Sequence, residues 1–355
     1  MPELNRTLQF AFVVFAASFV AIAEIDNASA QITIATVPVG NPGNTADSDG
    51  VGEVDYSYNI GKYDVTAGQY TAFLNAVAAT DPYGLYNPEM ATATSGNFAC
   101  GITQSGSPGA YSYTTTRNPN YPVNFVSWGD AARFCNWLTN GQPTGPEGNG
   151  TTETGSYTLN GAVTDADLNA VARNANADYV IPTLNEWYKA AYYSPASRSY
   201  YLYPTSSSAQ PSNVLSATGT NNANYYNLGY TDSTNYLTPV GAFADTTSPY
   251  GAYDMGGEVY QWDEEIETQQ GYGGEFRNLR GGSFDQVYIT MESGVSFEAY
   301  PTSDLGDNFG IRVSQVPEPT SISIVGVSMM GLLVRRRSER KSTSLSGPTS
   351  AHLSL

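Results

Sequence analysis

Histidine and cysteine are scarce in this chain of 355 residues. The sequence has one histidine, His352, and two cysteines, Cys100 and Cys135. A lone histidine near the C-terminus excludes metal centres built from several imidazoles, and it excludes histidine-based acid–base or nucleophilic catalysis. If the chain is exported, the two cysteines could form one disulfide, but sequence cannot show that they come within bridging distance. Inert buried thiols are the alternative.

Positive charge is also in short supply. Between Gln31 and Thr320 the chain has nine lysine and arginine residues against 29 acidic ones, a net charge of −20. Such a body repels the phosphates of nucleic acids and anionic membrane surfaces, so nucleic-acid binding is excluded. The acidity has two readings that stay open, a solvated surface or a supply of calcium ligands.

Tyrosine and glycine are abundant instead, with 27 and 35 residues. The chain is too aromatic to be disordered and too polar to cross a membrane many times. Glycines closely spaced with aromatics between Tyr250 and Phe284 predict a core of turns and short strands. No break in composition suggests a second folded domain, so we expect a single domain over residues 31–315.

Three helices are predicted by capping-box patterns, in which a hydroxyl residue is followed three positions later by an acidic or amide residue. Apolar residues at helical spacing follow each start, which turns one face of each helix inward. Residues 56–63 have strand-like composition, whereas the polar stretch 141–176 predicts a surface excursion. The capping pairs are Thr66 with Gln69, Ser127 with Asp130, and Thr183 with Glu186.

The N-terminus predicts export. An apolar run from Leu8 to Ala23 follows Arg6, and the small residues Ala28-Ser29-Ala30 precede Gln31. This order is typical of a signal peptide over residues 1–30, with cleavage before Gln31. A membrane anchor that stays attached is the alternative.

The C-terminus predicts a second address. A Pro317-Glu318-Pro319 triplet precedes a short, mostly apolar transmembrane segment at 320–334, and Arg335, Arg336 and Arg337 follow it. The arginines would hold that end on the cytoplasmic side. Residues 316–341 resemble the PEP-CTERM sorting signal of Gram-negative bacteria, and a polar tail occupies 342–355. The resemblance implies transient anchoring in the inner membrane and processing by an exosortase, whereas a plain single-pass anchor is the alternative.

Five motifs between Tyr56 and Val313 carry a further resemblance. They are P-V-N-F-V-S-W-G-D at 122–130, I-P-T-L-N-E-W at 181–187, G-A-Y-D-M-G-G-E-V-Y-Q-W at 251–262, R-G-G-S-F at 280–284 and F-G-I-R at 309–312. In this order they resemble the formylglycine-generating-enzyme family, also called sulfatase-modifying factors. Glu258, Tyr260, Gln261 and Phe284 depart from its commonest letters. The resemblance implies a C-type-lectin-like α+β fold with little regular secondary structure, two or three helices and small twisted antiparallel sheets.

The resemblance also implies what chemistry the chain lacks. Family enzymes oxidise a sulfatase cysteine with copper held by two thiolates between the R-G-G-S and G-F-R motifs. The corresponding segment, residues 284–309, contains no cysteine. Soft thiolates select Cu(I), so we expect no copper and no oxidase activity. Cys135 stands where the family has a cysteine that often forms a disulfide, but its usual partner position is Val313.

Calcium is the cofactor that the resemblance favours. Family members commonly hold one ion through residues that correspond to Asn224, Tyr225, Asp232 and Thr234. A second set corresponds to Asp254, Gly257 and Val259, with the last two contributing carbonyl oxygens. Oxygen ligands in irregular loops suit calcium, although the same Asn and Asp side chains could simply cap turns.

The remaining charges are assigned structural roles. Arg280 and Arg312 lie in apolar or glycine-rich motifs, so each needs a buried acceptor, and Glu186 is a candidate partner. The acidic run at 263–267 is expected to be a solvated edge.

We therefore expect an exported, non-catalytic binding module at the cell surface or in the extracellular matrix. Its tyrosine-, asparagine- and serine-rich loops would bind a glycan or a protein, because tyrosine gives rigid contact area at low entropic cost. An enzyme of formylglycine-generating type or of altered chemistry, and a purely structural matrix protein, are the alternatives.

Overall fold

The computed structural model describes residues 31–92, 98–268, 274–295 and 299–317. The chain divides into two units, Met1–Gln31 and Ile32–Leu355, and the description concerns the second. The predicted signal peptide, the apolar segment 320–334 and the tail lie outside the described residues, as do Glu318, Pro319 and Arg335 to Arg337. Among the helices of the described ranges, none combines the length and apolarity needed to cross a bilayer.

The three predicted helices are confirmed, and each begins at its predicted cap. In all three the cap hydroxyl accepts the N–H three residues later, and that residue's side chain accepts the cap N–H in return. A short additional helix follows Thr164, whose hydroxyl accepts the Asp167 N–H. The helices are α1 (Ala67–Val77), α2 (Trp128–Thr139), α3 (Asp165–Asn169) and α4 (Leu184–Tyr192).

The strands are short, as the glycine-rich sequence predicts. They are β1 (Thr36–Val39), β2 (Tyr58–Gly61), β3 (Ile102–Ser105), β4 (Ser112–Thr115), β5 (Tyr179–Val180), β6 (Tyr193–Ser194), β7 (Ser199–Tyr200), β8 (Tyr260–Thr268), β9 (Glu275–Arg280), β10 (Ala299–Tyr300), β11 (Phe309–Gly310) and β12 (Ser314–Gln315). One sheet has the order β1-β2-β12-β5 and another the order β10-β9-β8-β11, while β3–β4 and β6–β7 form two-stranded pairs. All pairings are antiparallel except that of β11 with β8.

Tryptophans of the family motifs lie in the core. Trp128, Trp187 and Trp262 are fully buried, and each indole finds an acceptor, as buried indoles generally require. Trp128 Nε1 donates to the Asp263 carbonyl at 3.1 Å, and Trp262 Nε1 donates to the Val126 carbonyl at 2.9 Å. This exchange fixes the start of α2 against β8.

Two expectations about polar segments are wrong. Residues 141–176 are not a plain surface excursion, because Tyr157 is fully buried and Glu153 forms a buried ion pair with Arg133 of α2 at 2.7 Å. The acidic run does not form a solvated edge throughout, because it lies in β8 beside other elements. Asp263 is fully buried and accepts a bond from Asn278 at 2.7 Å.

Candidate binding site

Arg312 occupies the junction between the closing motif and the rest of the domain. Its guanidinium donates to Asp64 Oδ1 at 2.9 Å and to Gln261 Oε1 at 2.7 Å, and it also meets the Gly61 and Tyr253 carbonyls. Both ionic side chains are fully buried. Burial raises the pKa of Asp64 to about 8, although the charge of Arg312 opposes the rise.

The expectation that Glu186 accepts Arg312 or Arg280 is wrong. Arg173 binds Glu186 instead, with both contacts at 2.9 Å. Arg280 is buried, and its Nη1 donates to the Val295 carbonyl at 3.0 Å.

The two predicted calcium sets meet at a seam between Asn224 and Gly257. The two residues form a parallel bridge, and the Glu258 N–H donates to the Asn224 carbonyl at 2.8 Å. Gly257 has φ +74°, and a Cβ there would lie 2.2 Å from the Asn224 carbonyl oxygen. No other residue fits that approach without moving the backbone.

Glu258 fills the seam with a buried carboxyl group. It accepts hydrogen bonds from the Thr238 N–H at 2.8 Å, from the Thr238 hydroxyl and from Asn224 Nδ2 at 2.8 Å. Burial and the nearby charge of Asp254 raise its pKa well above the usual range. Asn224 Nδ2 also donates to the Tyr236 carbonyl at 2.8 Å, so the same amide holds both ends of the loop 225–235.

The first predicted calcium set fits an ion only in part. The Oδ1 atom of Asn224 is buried without a hydrogen-bond partner, which suits an oxygen ligand. Asp232, however, is engaged in a turn. Its two oxygens accept the N–H groups of Thr234 and Asn235 at 2.8 and 2.9 Å and the Asn235 side chain at 2.8 Å. The Tyr225 carbonyl accepts from Asn213 at 3.3 Å.

The second set fits better. Asp254 Oδ2 accepts only the Gly241 N–H, at 2.6 Å, among the bonds to this carboxylate in the described residues. Burial raises the pKa of Asp254 to about 6. A cation would offset that desolvation, and Gly257 and Val259 follow on the same segment with carbonyl oxygens of the kind that calcium accepts.

Both cysteines are free and buried, so the disulfide that the sequence left open is not formed. Burial raises the pKa of the Cys100 thiol to about 11 and raises that of Cys135 further. A thiol that stays protonated and enclosed is a poor nucleophile and a poor metal ligand.

A cluster of five aromatic rings lies where three separate segments meet, and we call it the tyrosine face. Phe284 is fully buried at its base, whereas Tyr226 is 36% exposed. The centroids of Phe98 and Tyr236, and those of Tyr230 and Tyr236, are 4.6 Å apart, and Tyr226 lies 5.1 Å from Tyr230. Phe98 packs on Phe284 at 5.3 Å. The rings meet mainly edge-on or tilted, which holds them in defined positions.

Two carboxylates border the tyrosine face, Asp285 and Asp307. Asn308 Nδ2 donates to Asp285 Oδ1 at 3.0 Å and to Ser283 Oγ at 3.1 Å, which ties the two aspartate segments together. Asn124 Nδ2 donates to the Asp307 carbonyl and, at 2.8 Å, to the Phe98 carbonyl. Burial and the negative charge of Asp285 raise the pKa of Asp307. Burial and then both aspartates raise the pKa of Tyr230.

Exposed aliphatic side chains extend the same region. Leu228 is 97% exposed, Val287 46% and Ile289 41%. Their segments are joined where the Tyr226 N–H donates to the Gln286 carbonyl at 2.8 Å. Exposed apolar residues gathered beside a polar rim are typical of interaction sites.

Sequence analysis anticipated the loop tyrosines as a group but missed the two aspartates. They stand beside two of the recognised motifs, Asp285 directly after R-G-G-S-F and Asp307 two residues before F-G-I-R. The segment 284–309 between them has no lysine, arginine or histidine. Acidic residues without basic neighbours were the signal that could have found this rim.

Comparison with known sequences gives two family matches. Residues 34–316 match the Sulfatase-modifying factor enzyme 1-like domain, and residues 315–337 match the PEP-CTERM protein-sorting motif. The second match indicates export with transient anchoring through the C-terminus and exosortase-type processing. No curated protein matches the chain.

Solved structures give the same fold. CarF is 21% identical with a TM-score of 0.50, and the match covers 80% of this chain and 99% of CarF. PvdO from Pseudomonas aeruginosa is 21% identical with a TM-score of 0.43, covering 80% of this chain and 92% of PvdO. Treponema denticola variable protein 1 is 15% identical with a TM-score of 0.44, covering 81% and 97%. At these identities the likeness concerns the fold alone.

Proposed function

Because this chain belongs to the sulfatase-modifying factor enzyme 1-like family, we propose that it is an exported binding module that uses the family scaffold without oxidase chemistry. Its place of action would be the cell surface or the extracellular matrix. The tyrosine face is the observation that carries the proposal. It combines rigid aromatic area, exposed aliphatic side chains and an acidic rim on loops held by a buried scaffold.

The absence of oxidase chemistry is proposed on two grounds. The segment 284–309 has no cysteine where family enzymes carry their copper ligands. Cys100 and Cys135, the two thiols of the chain, are buried with raised pKa values, so they cannot replace that pair without rearrangement. Copper-dependent oxygen consumption by the purified protein with a cysteine peptide would contradict this part of the proposal.

The binding role is tested by removing the rings that are nearest to solvent. Tyr226→Ala and Tyr230→Ala, alone and together, should reduce attachment of the full-length protein to cells or matrix of its own source. Tyr111→Ala, a partly buried tyrosine of another region, serves as the matched control. Attachment unchanged in the double variant would favour a packing role for the domain instead.

We also propose that calcium binds at the Asp254 set. The support is the buried Asp254 carboxylate beside Gly257 and Val259, together with the unpartnered Asn224 Oδ1 across the seam. Calcium would then stabilise the seam that holds both ends of the loop 225–235.

Isothermal titration of the metal-stripped protein with calcium tests this site. We expect binding with a rise in melting temperature, and we expect Asp254→Asn to weaken both, whereas Asp232→Asn should leave most of the affinity intact. Loss of binding in Asp232→Asn but not in Asp254→Asn would move the ion to the first set.

A further inference from the structure

We propose that the tyrosine face binds a positively charged peptide segment of a partner protein, with a lysine or arginine side chain held between the rings and the two aspartates. This inference rests on the binding function proposed above and specifies the chemistry of the ligand. It is based on the charges, the rings and the exposed aliphatic residues that the fold brings together.

The charges of the rim have no counterion within the protein. Ion pairs in the described residues involve Arg133, Arg173 and Arg312, and none involves Asp285 or Asp307. Asp285 accepts only neutral donors there, Ser283 Oγ at 2.6 Å and Asn308 Nδ2 at 3.0 Å. Two carboxylates that raise each other's energy gain most from a cation placed between them.

Arg117 is the basic residue whose contacts come nearest in sequence to the rings, and it is already engaged. Its Nη1 donates to the Ala99 carbonyl, and its Nη2 donates to the Asn235 carbonyl at 3.1 Å. It also stacks on the Tyr121 ring, with the guanidinium carbon 5.0 Å from the centroid. Arg117 therefore supports the backbone beside Phe98 and Tyr236 and is not the cation that the aspartates require.

The rings favour the same class of ligand. Tyrosine and phenylalanine faces attract lysine and arginine, more strongly where the cation is partly desolvated. Tyr230 is the ring that responds to both aspartates, since each of them contributes to raising its pKa. A cation near Tyr230 would therefore meet aromatic and ionic attraction together.

The exposed aliphatic side chains indicate a peptide and not a lone amine. Leu228, Val287 and Ile289 would cover apolar residues on either side of the cation. A neutral sugar would use the rings but would leave both the rim charges and these aliphatic residues without a complementary group. The combination fits a segment in which basic and apolar residues alternate.

Fluorescence anisotropy of the purified full-length protein tests the proposal with three probes. The first is a labelled peptide of alternating lysine and leucine, the second replaces lysine by glutamate, and the third is labelled maltohexaose. We expect binding of the lysine peptide alone, weakening by about tenfold or more between about 20 and 300 mM salt. Affinity should also fall with decreasing pH earlier than for an ordinary aspartate, because the pKa of Asp307 is raised.

Charge-matched variants separate site binding from general attraction to an acidic protein. Asp285→Asn/Asp307→Asn should lower the affinity for the lysine peptide at least tenfold. Asp49→Asn/Asp245→Asn removes the same charge at exposed positions elsewhere and should change affinity less than about twofold. Unfolding curves of both double variants report whether the fold is retained.

Each remaining outcome overturns a defined part. Equal losses in the two double variants would show non-specific attraction and overturn the inference. Binding of maltohexaose that Tyr226→Ala/Tyr230→Ala abolishes, without binding of the lysine peptide, would overturn the inference while supporting the binding function. Absence of binding for all three probes overturns the cationic assignment, and unchanged attachment of the tyrosine variants then overturns the function as well.

Discussion

Charged groups in the interior and on the tyrosine face are treated in opposite ways by the same fold. Inside, Arg312 reaches Asp64 and Gln261, and Arg133 reaches Glu153, so each cation has a partner within 3 Å. On the face, Asp285 and Asp307 lie close to each other with no cation from the described part of the chain. The interior charges hold segments together, whereas the charges of the face remain open to a ligand.

Breaking the central interior pair should have the largest effect on stability. Arg312→Met leaves Asp64 buried without a counterion, and we expect the free energy of unfolding to fall by about 3–5 kcal/mol. Urea denaturation measures the loss. The double variant Asp64→Leu/Arg312→Met removes both charges and should cost less than the sum of the single variants. Additive losses would mean that the two groups do not act as a pair.

Glu147 is the interior exception, and it sharpens the comparison. Both of its oxygens are buried without hydrogen-bond partners, and burial together with the charge of Asp81 raises its pKa to about 8. The folded protein therefore keeps this proton at pH values where the unfolded chain has released it. Stability should decline as pH rises from the ordinary range of glutamate toward about 8, although Arg133 and the Tyr83 N–H oppose the shift.

Glu147→Gln should remove that decline. We expect the variant to be more stable than the unmodified protein by about 1 kcal/mol at alkaline pH and similar to it in acid, because solvent screens part of the effect. Thermal unfolding across the pH range measures it, with the exposed Glu275→Gln as control. Identical pH profiles for the two variants would contradict the assignment to Glu147.

The smallest effect on stability is expected at the tyrosine face. Asp285→Asn/Asp307→Asn removes two neighbouring like charges that support no ion pair, so the free energy of unfolding should change by less than about 0.5 kcal/mol. Chemical denaturation alongside the binding measurement checks this. A loss comparable to that of Arg312→Met would place these aspartates in the scaffold and erase the contrast.

Local signals in the sequence predicted the elements, but they did not predict the partners. Thr66, Ser127 and Thr183 mark helix starts because a capping box involves four consecutive residues. Arg312 was recognised as structural, yet its partner Asp64 lies 248 residues earlier and follows no motif. Glu186 was a reasonable candidate partner, but Arg173 from the stretch predicted to be surface takes it.

The candidate site was predictable only in its composition. Abundant loop tyrosines suggested a binding surface, but Phe98, the 226–236 loop and Phe284 come together through long-range packing. The two aspartates beside them are joined by Asn308, a contact that depends on the turn after β9. The calcium sets were drawn from the family resemblance, and only the geometry distinguishes the engaged Asp232 from the more open Asp254.

The amide of Asn224 has a consequence for how this surface can diversify. It fastens the start of the loop to Glu258 and its end to the Tyr236 carbonyl, so residues 225–235 leave and rejoin the domain at fixed points. Substitutions at the outward positions Tyr226, Leu228 and Tyr230 alter what is displayed without straining the attachment. The loop can therefore be exchanged as a cassette, and grafting a relative's loop between the same two anchors should transfer its ligand preference.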